Sequence, residues 1–287
     1  MLIFKEVNAL RTYLEASEES GKTIGFVPTM GALHEGHMAL IRASNASNDI
    51  TLSTIFVNPA QFNEQSDFDS YPVQIEQDAA KLELENCTVL YLPKVEEVYP
   101  SGDYEKPVFD FKGLDSQMEG AFRPGHFFGV GEVIKRFIDL MPFHRMYLGA
   151  KDYQQVQIVK RVVEQFDYDV EVVSVPTERE AGGLAMSSRN LLLSEEAKDA
   201  ANVIYQTLNW VRDHYSFDQL DQLLDAAKAK INSSEHLEVE YLIAADASTL
   251  QILESAEPTP VVLCISVWAN GVRLIDNIVI EREYSIG

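Results

Sequence analysis

The chain predicts an α/β protein, in which a parallel sheet covered by helices precedes a smaller α+β domain. Three observations predict it. Short apolar runs alternate with amphipathic helical segments as far as Val175, the pattern of a parallel sheet buried on both faces. After Pro176 the texture changes, and the charged, Gly-ending stretch 178–183 reads as a linker. Beyond it, two long helical segments lead into strands, the last two joined by Asn270-Gly271, a hairpin turn that needs positive φ at both residues. These place a boundary near residue 177 and give two domains, 1–177 and 178–287.

Each element has its own justification. A helix starts at Val7, and the apolar run 24–27 is a short buried strand that Pro28-Thr29 ends. Met38, Leu40, Ile41 and Ala43 recur at helical spacing, so a helix runs from about Gly36. Residues 51–57 form a second strand, 74–86 an amphipathic helix and 88–92 a third strand. The segment 129–141 is helical, with Val130, Val133, Ile134, Phe137 and Ile138 on its buried side. A strand at 145–148, a helix at 154–166 and a strand at 170–175 complete the first domain. The second has helices at 195–214 and 217–231 and strands at 239–244, 261–268 and 272–281.

Composition excludes several classes. The 287 residues are 46% hydrophobic without a repeat or a low-complexity tract, as in a folded globular protein. No apolar run approaches the ~20 residues that span a bilayer, and the first residues lack a signal-peptide layout. Cys87 and Cys264 lie far apart in or beside apolar runs and read as reduced core residues of a cytoplasmic protein. A net charge of −22 opposes nonspecific binding to nucleic acid or anionic membrane. An anionic substrate must therefore be received by local cations and N–H groups.

Five clusters carry chemistry. In the first, the strand 24–27 is followed by a loop containing Gly31 and Gly36 and then by a helix. This order presents free N–H groups and a positive dipole end to a phosphate. His34 and His37 sit there as His-x-Gly-His, able to donate to phosphate oxygens and to stabilise charge as pyrophosphate leaves. A zinc site is the other reading, but the pair lacks the i, i+4 spacing of His-Glu-x-x-His. In the second cluster Asn58 and Gln61 leave a strand end. Their amides suit a ligand's hydroxyl or carboxylate, or else Asn58 forms an Asx turn beside a solvated Gln.

In the third, Arg123 of Arg-Pro-Gly-His-Phe can hold a carboxylate or phosphate by its fork. The nearby Gly129-Val130-Gly131 lacks the third glycine of a dinucleotide fingerprint. The fourth is Gly149-Ala150-Lys151-Asp152-Tyr153-Gln154-Gln155, between a strand and a helix. Lys151 can neutralise phosphate charge, while Asp152 either caps the helix, binds ribose or orients the lysine. The fifth is Met186-Ser187-Ser188-Arg189-Asn190, whose hydroxyls, N–H groups and Arg suit a polyphosphate clamp on a loop that closes on ATP. Ser194-Glu195-Glu196 is the cap of the helix that follows.

Taken together, PTMGALHEGH, FVNPAQF, RPGHF, GAKDYQQ, MSSRN and LIDN, in this order and spacing, resemble the pantoate–β-alanine ligase family, within the His-x-Gly-His nucleotidyltransferases. The resemblance covers essentially the whole chain. It implies a Rossmann-like N-terminal domain, a C-terminal lid domain and a homodimer in the cytoplasm, with no nucleic-acid or membrane partner. It also implies Mg²⁺-ATP-dependent condensation of (R)-pantoate with β-alanine through a pantoyl adenylate.

Carried over by position, Met30, Gly31, Ala32, Leu33, His34, Glu35, Gly36 and His37 would line the ATP site, with His34 and His37 on the phosphates. Gly149, Ala150, Lys151 and Asp152 would bind ATP, with Lys151 at phosphate and Asp152 at ribose. Met186, Ser187, Ser188 and Arg189 would close over the nucleotide, and Glu178 would meet adenine. Gln61 and Gln155 would grip pantoate, Gln61 would also reach β-alanine, and Asn58 and Arg123 would belong to the same acid-binding group. Asp78 would be an acidic Mg²⁺ position. The chain departs from the family at Val73-Gln74, where Arg-Thr is usual, at Phe128, where a charge is common, at Glu178, where a hydrophobic residue is frequent, and at Gly182, where Asp is usual.

A nucleotidyltransferase acting on a phosphorylated acceptor is the competing reading. It would need cations where this chain has Gln61 and Gln155. A nucleotide-binding regulator would not need the two histidines, Lys151 and Arg189 together.

Overall fold

A computed structural model describes residues 1–62, 68, 71–100, 106–253 and 260–281. The chain forms two compact units. The first comprises Met1–Asp115, Glu119–Ala150 and Gln154–Pro176, and the second Ser116–Met118, Lys151–Tyr153 and Thr177–Gly287.

The strands of the first unit are β1 (Leu2–Phe4), β2 (Ile24–Thr29), β3 (Ile50–Ile55), β4 (Val89–Tyr91), β5 (Arg145–Gly149) and β6 (Glu171–Val175). They form one sheet in the order β1-β4-β3-β2-β5-β6, every neighbouring pair parallel. Its central strands are buried on both faces, because helices cover both. Phe26, Leu52, Val89 and Met146 are fully buried. Leu40 and Ile41 of the Glu35–Ser47 helix join the core that holds Val27 and Leu90. Val130, Val133, Ile134 and Phe137 are buried along the His126–Leu140 helix.

The second unit pairs β7 (Leu237–Asp246), β8 (Val261–Ala269) and β9 (Val272–Ile280) antiparallel in that order. Helices Glu195–Asp213 and Leu220–Ile231 pack Ile204, Leu208, Val211 and Ile231 against Leu263, Ile265 and Val267 of β8. The β8–β9 turn has Asn270 at φ 47° and Gly271 at φ 84°, the positive pair that Asn-Gly predicts. Ser194 accepts the Ala197 N–H at 3.2 Å and caps its helix.

Three local expectations are corrected. The strand predicted to end at Val27 continues through Pro28 to Thr29, paired with β3 up to Thr29↔Ile55. Proline is tolerated here because β2 pairs with β5 only at Gly25↔Arg145 and Phe26↔Met146, so no ladder bond toward β5 is lost at Pro28. β1 is a strand that periodicity did not reveal. Its three residues are too few to show a period, and Leu2 and Ile3 are 46% and 53% exposed.

Residues 178–183 are not a solvated linker. The Glu180 N–H donates to Leu184 O, the Met186 N–H donates to Glu178 O, and Arg179 bridges Ala185. Arg179 also forms a bidentate pair with Asp276 at 2.7 and 2.9 Å and lies 3.5 Å over the Tyr205 ring. The charges that read as solvated thus hold this segment to its own unit. The departure at Phe128 also has a packing reason, since its ring meets Phe109 edge-on with centroids 5.3 Å apart.

Candidate active site

Strand order locates the site in the first unit. From β2 the chain winds outward through β3 and β4, then returns to place β5 on the other side of β2. Ligands of open parallel sheets bind beyond the carboxyl ends of strands at this reversal. Pairing between β2 and β5 stops after Phe26↔Met146, so their carboxyl halves are not hydrogen-bonded to each other. The segments leaving β2, β3 and β5, three adjacent strands, are the His34–His37 loop, the Asn58–Gln61 turn and Gly149-Ala150.

The loop after β2 is tightly bound. Gly31 has φ 90° and Ala32 φ 51°, and a Cβ on Gly31 would meet Ile55 at 3.1 Å and Asp78 at 3.2 Å. Glycine answers both constraints. The fully buried Asp78 accepts the Ala32 N–H at 2.8 Å and the Leu33 N–H at 2.9 Å, one on each carboxylate oxygen. Lys81, one turn along the same helix, donates to Leu33 O at 2.6 Å. Asp78 and Lys81 therefore clamp Leu33 through its N–H and its carbonyl. The Mg²⁺ position expected at Asp78 is fully buried here, and each carboxylate oxygen accepts one backbone N–H, the geometry of a brace for the loop. Among the described residues no group of three or more His, Cys, Asp or Glu is arranged to hold a metal.

The two histidines cap their helix reciprocally. His34 Nδ1 accepts the Gly36 N–H at 3.1 Å, and His37 Nδ1 accepts the His34 N–H at 3.2 Å. The rings lie 4.1 Å apart. This is a capping box in which imidazoles replace the usual Ser and Glu. With Nδ1 an acceptor on both rings, the neutral tautomer of each carries its proton on Nε2. Each ring is thus a donor at Nε2 beside the N-terminus of the Glu35–Ser47 helix.

The turn after β3 carries two amides. Asn58 is 1% exposed. Its Oδ1 accepts the Ala60 N–H at 3.2 Å, the Asx turn that was the alternative reading. Its Nδ2 donates to Gln61 Oε1 and to Gly129 O, both at 3.1 Å. The half-buried Gln61 turns its Nε2 toward Met30 Sδ at 2.9 Å. His126 Nδ1 lies 2.9 Å from Gln61 O, and Arg123 stands 3.4 Å from the other nitrogen of that ring. The first unit thus brings Met30, Asn58, Gln61, His126 and Arg123 into one connected group, which Arg123 joins through His126.

After β5, Gly149 and Ala150 lead into the Tyr153–Gln165 helix. Gln154 is buried and structural, donating to Leu114 O at 2.7 Å and accepting the Glu119 N–H at 3.0 Å. Its neighbour Gln155 is half-buried in the first turn of that helix, and its amide has no hydrogen-bond partner among the described residues.

The second unit holds the remaining candidates. Lys151, Ser187 and Arg189 line one pocket together with Asn190 and Asp276. Lys151 Nζ is 3.3 Å from Asp152 Oδ1, so of the roles open to Asp152 the geometry shows contact with the lysine. The Lys151 carbonyl accepts Asn277 Nδ2 at 2.8 Å. Ser187 Oγ accepts the Arg189 N–H at 3.3 Å, and Asn190 binds Glu180 and Ala185 O. Glu178 accepts the Met186 N–H through its carbonyl. Cys87 and Cys264 are buried and in no disulfide, and burial pushes the Cys87 thiol up to about 12, so it is no nucleophile.

Reasoning from the residues did not find the Asp78–Lys81 clamp or Tyr99, which donates to Asn58 Oδ1 at 2.7 Å. An i, i+3 Asp–Lys pair reads as a solvated helix pair, and nothing local marks Tyr99.

A doubly wound parallel sheet with a histidine-capped helix N-terminus at its reversal point defines an α/β protein of the nucleotide-binding type. Similarity to known proteins narrows the class. The family described as pantoate-beta-alanine ligase matches residues 2–279. The chain is 39% identical to a pantothenate synthetase of Cytophaga hutchinsonii over 98% of this chain and 99% of that protein. It is 38% identical to one of Caldicellulosiruptor bescii over 99% of this chain and 100% of that one. Among solved structures, a pantothenate synthetase from Thermus thermophilus superposes with a TM-score of 0.89 at 36% identity, covering 98% of this chain and 100% of that one. A pantoate-beta-alanine ligase from Francisella tularensis, complexed with beta-gamma ATP and beta-alanine, superposes with a TM-score of 0.81 at 32% identity, covering 99% of each chain. The chain belongs to the pantoate–β-alanine ligase family.

Proposed function

We propose that the protein condenses (R)-pantoate with β-alanine using ATP, through a pantoyl adenylate, releasing AMP and pyrophosphate. One observation carries this reading. Histidine donors and a neutral amide leave adjacent strand ends of a chain that belongs, over 2–279, to the pantoate–β-alanine ligase family. A phosphorylated acceptor would call for cations in direct contact with it, whereas in this reading the groups that hold the acid are the neutral Gln61 and Gln155, and Arg123 joins their cluster through His126.

In the first step a pantoate carboxylate oxygen attacks the α-phosphorus, and the bond to the pyrophosphate oxygen breaks. His34 and His37 donate from Nε2 to the phosphate oxygens where charge grows, and Lys151 and Arg189 supply positive charge to the polyphosphate. Gly31, Ala32, Leu33, Glu35 and Gly36 form the backbone that approaches the nucleotide, held by Asp78. Gly149, Ala150, Asp152, Glu178, Met186, Ser187 and Ser188 complete the nucleotide contacts in this reading. Gln61 and Gln155 hold pantoate. Neutral amides bind a carboxylate without quenching its nucleophilicity, and tighter ground-state binding would not lower the barrier. In the second step the β-alanine amine attacks the acyl carbon, AMP leaves with the bonding pair, and the amine loses a proton.

Mg²⁺ bound with ATP would supply charge neutralisation at the phosphates. A homodimer in the cytoplasm, with residues 178–287 serving as a lid, belongs to the same reading and rests on the family resemblance. Among the described residues no helix is long and apolar enough to cross a membrane.

The test is the full reaction. Purified protein given ATP, Mg²⁺, (R)-pantoate and β-alanine forms pantothenate and AMP in equal amounts. Pantoate phosphorylated or adenylated without amide formation when β-alanine is present would overturn the assignment.

A further inference from the structure

Gln61 can present either its carbonyl or its N–H edge to a ligand, and the structure contains a device that selects between them. Three groups together orient Asn58: the Ala60 N–H and the Tyr99 hydroxyl converge on Oδ1, the hydroxyl at the shorter distance, and Nδ2 donates to Gly129 O. Tyr99 donates its hydroxyl to the same Oδ1 at 2.7 Å. The second hydrogen on Asn58 Nδ2 then faces Gln61 Oε1 at 3.1 Å. Gln61 must therefore turn Nε2 outward, where it meets the Met30 thioether, a weak acceptor, at 2.9 Å.

The relay is supported from behind. The Tyr99 ring stacks at 6.3 Å on Phe56 of the segment that leaves β3. The Arg136 guanidinium lies 4.4 Å over the same Tyr99 ring and donates to Val98 O at 3.0 Å. Arg136 is itself held by Glu132 at 2.9 Å, both side chains 8% exposed. Gly129 lets the turn approach its helix, since a Cβ there would stand 2.1 Å from Ala60 O. A buried cation, an aromatic ring and two amides thus form one connected line that ends at Gln61.

We propose that Tyr99 is a positioning residue for acid recognition. Through Asn58 it fixes the Gln61 amide with its N–H edge toward the substrate, so that the site selects a ligand rich in acceptor oxygens, a hydroxy acid in carboxylate form. The proposal rests on the function proposed above. In binding, a substrate oxygen replaces the Met30 sulfur as the acceptor for Gln61 Nε2, a stronger partner for a weaker one.

The experiment is a double-mutant cycle read in steady-state kinetics. Tyr99→Phe keeps the ring on Arg136 and Phe56 and removes only the donor. It should raise the KM for pantoate roughly 2- to 10-fold, the range for one neutral hydrogen bond, with the KM for ATP and the melting temperature close to those of the parent. In a Gln61→Ala background the same substitution should add nothing, because its effect passes through Gln61. An unchanged pantoate KM in Tyr99→Phe would overturn the relay. So would equal shifts for pantoate and ATP, or additive effects in the double variant. A parent protein that makes no pantothenate would instead overturn the function on which the relay rests, so the two failures are distinct.

Discussion

The backbone N–H of His34 donates to Nδ1 of His37 across 3.2 Å. This interaction caps the helix and leaves the proton of a neutral His37 ring on Nε2, the donor that the proposed chemistry uses. The two roles separate by substitution. His37→Ala should cost ~0.5–2 kcal/mol of stability for the lost cap and about 10²–10³ in the rate of adenylation for the lost donor. His37→Glu, the residue a capping box ordinarily uses, should recover the stability and none of the rate. Chemical denaturation and pyrophosphate exchange measured on both variants check this. Recovery of exchange in His37→Glu would remove the donor role.

Asp78 leads to a stability prediction. Asp78→Ala would leave the Ala32 and Leu33 N–H groups buried without their acceptor. The expected loss is about 3 kcal/mol, from two hydrogen bonds to a charged group. The Mg²⁺ concentration for half-maximal activity should stay where it is. A urea titration beside a Mg²⁺ titration decides the matter. Unchanged stability with a large rise in the Mg²⁺ requirement would return Asp78 to the metal.

Gln155 leaves β5 by way of the Tyr153–Gln165 helix, and its amide has no protein partner among the described residues. Gln155→Ala should raise the KM for pantoate by roughly 10- to 150-fold, the equivalent of one hydrogen bond to a charged group. The KM for ATP should change little. Separate titrations of the two substrates test it. A fall in ATP affinity with an unmoved pantoate KM would assign Gln155 to the nucleotide.

The parts of this architecture that were legible were those with local causes. The apolar run at Ile24, the glycines of the following loop and the helical spacing of Met38, Leu40 and Ile41 each act over a few residues, and strand, loop and helix follow in that order, the strand two residues longer than the run implied. The Asn270-Gly271 turn and the Ser194 cap are of the same kind. What was missed depends on partners distant in sequence. Residues 178–183 look solvated until Arg179 meets Asp276, 97 positions away. Asp78 looks like an exposed helix acid until it meets the backbone of Ala32 and Leu33, 46 and 45 positions away. The reciprocal capping of the histidine pair was not legible, because imidazole rarely fills that role.

In the proposed reaction the histidine donors serve the phosphates and the neutral amides serve the acid, a division that suits an adenylate intermediate. Pyrophosphate exchange tests this most directly. Radiolabelled pyrophosphate should enter ATP when pantoate is present and β-alanine is absent, and should not enter when pantoate is withheld. Exchange without any acid, or only with a phosphorylated acceptor, would contradict the account.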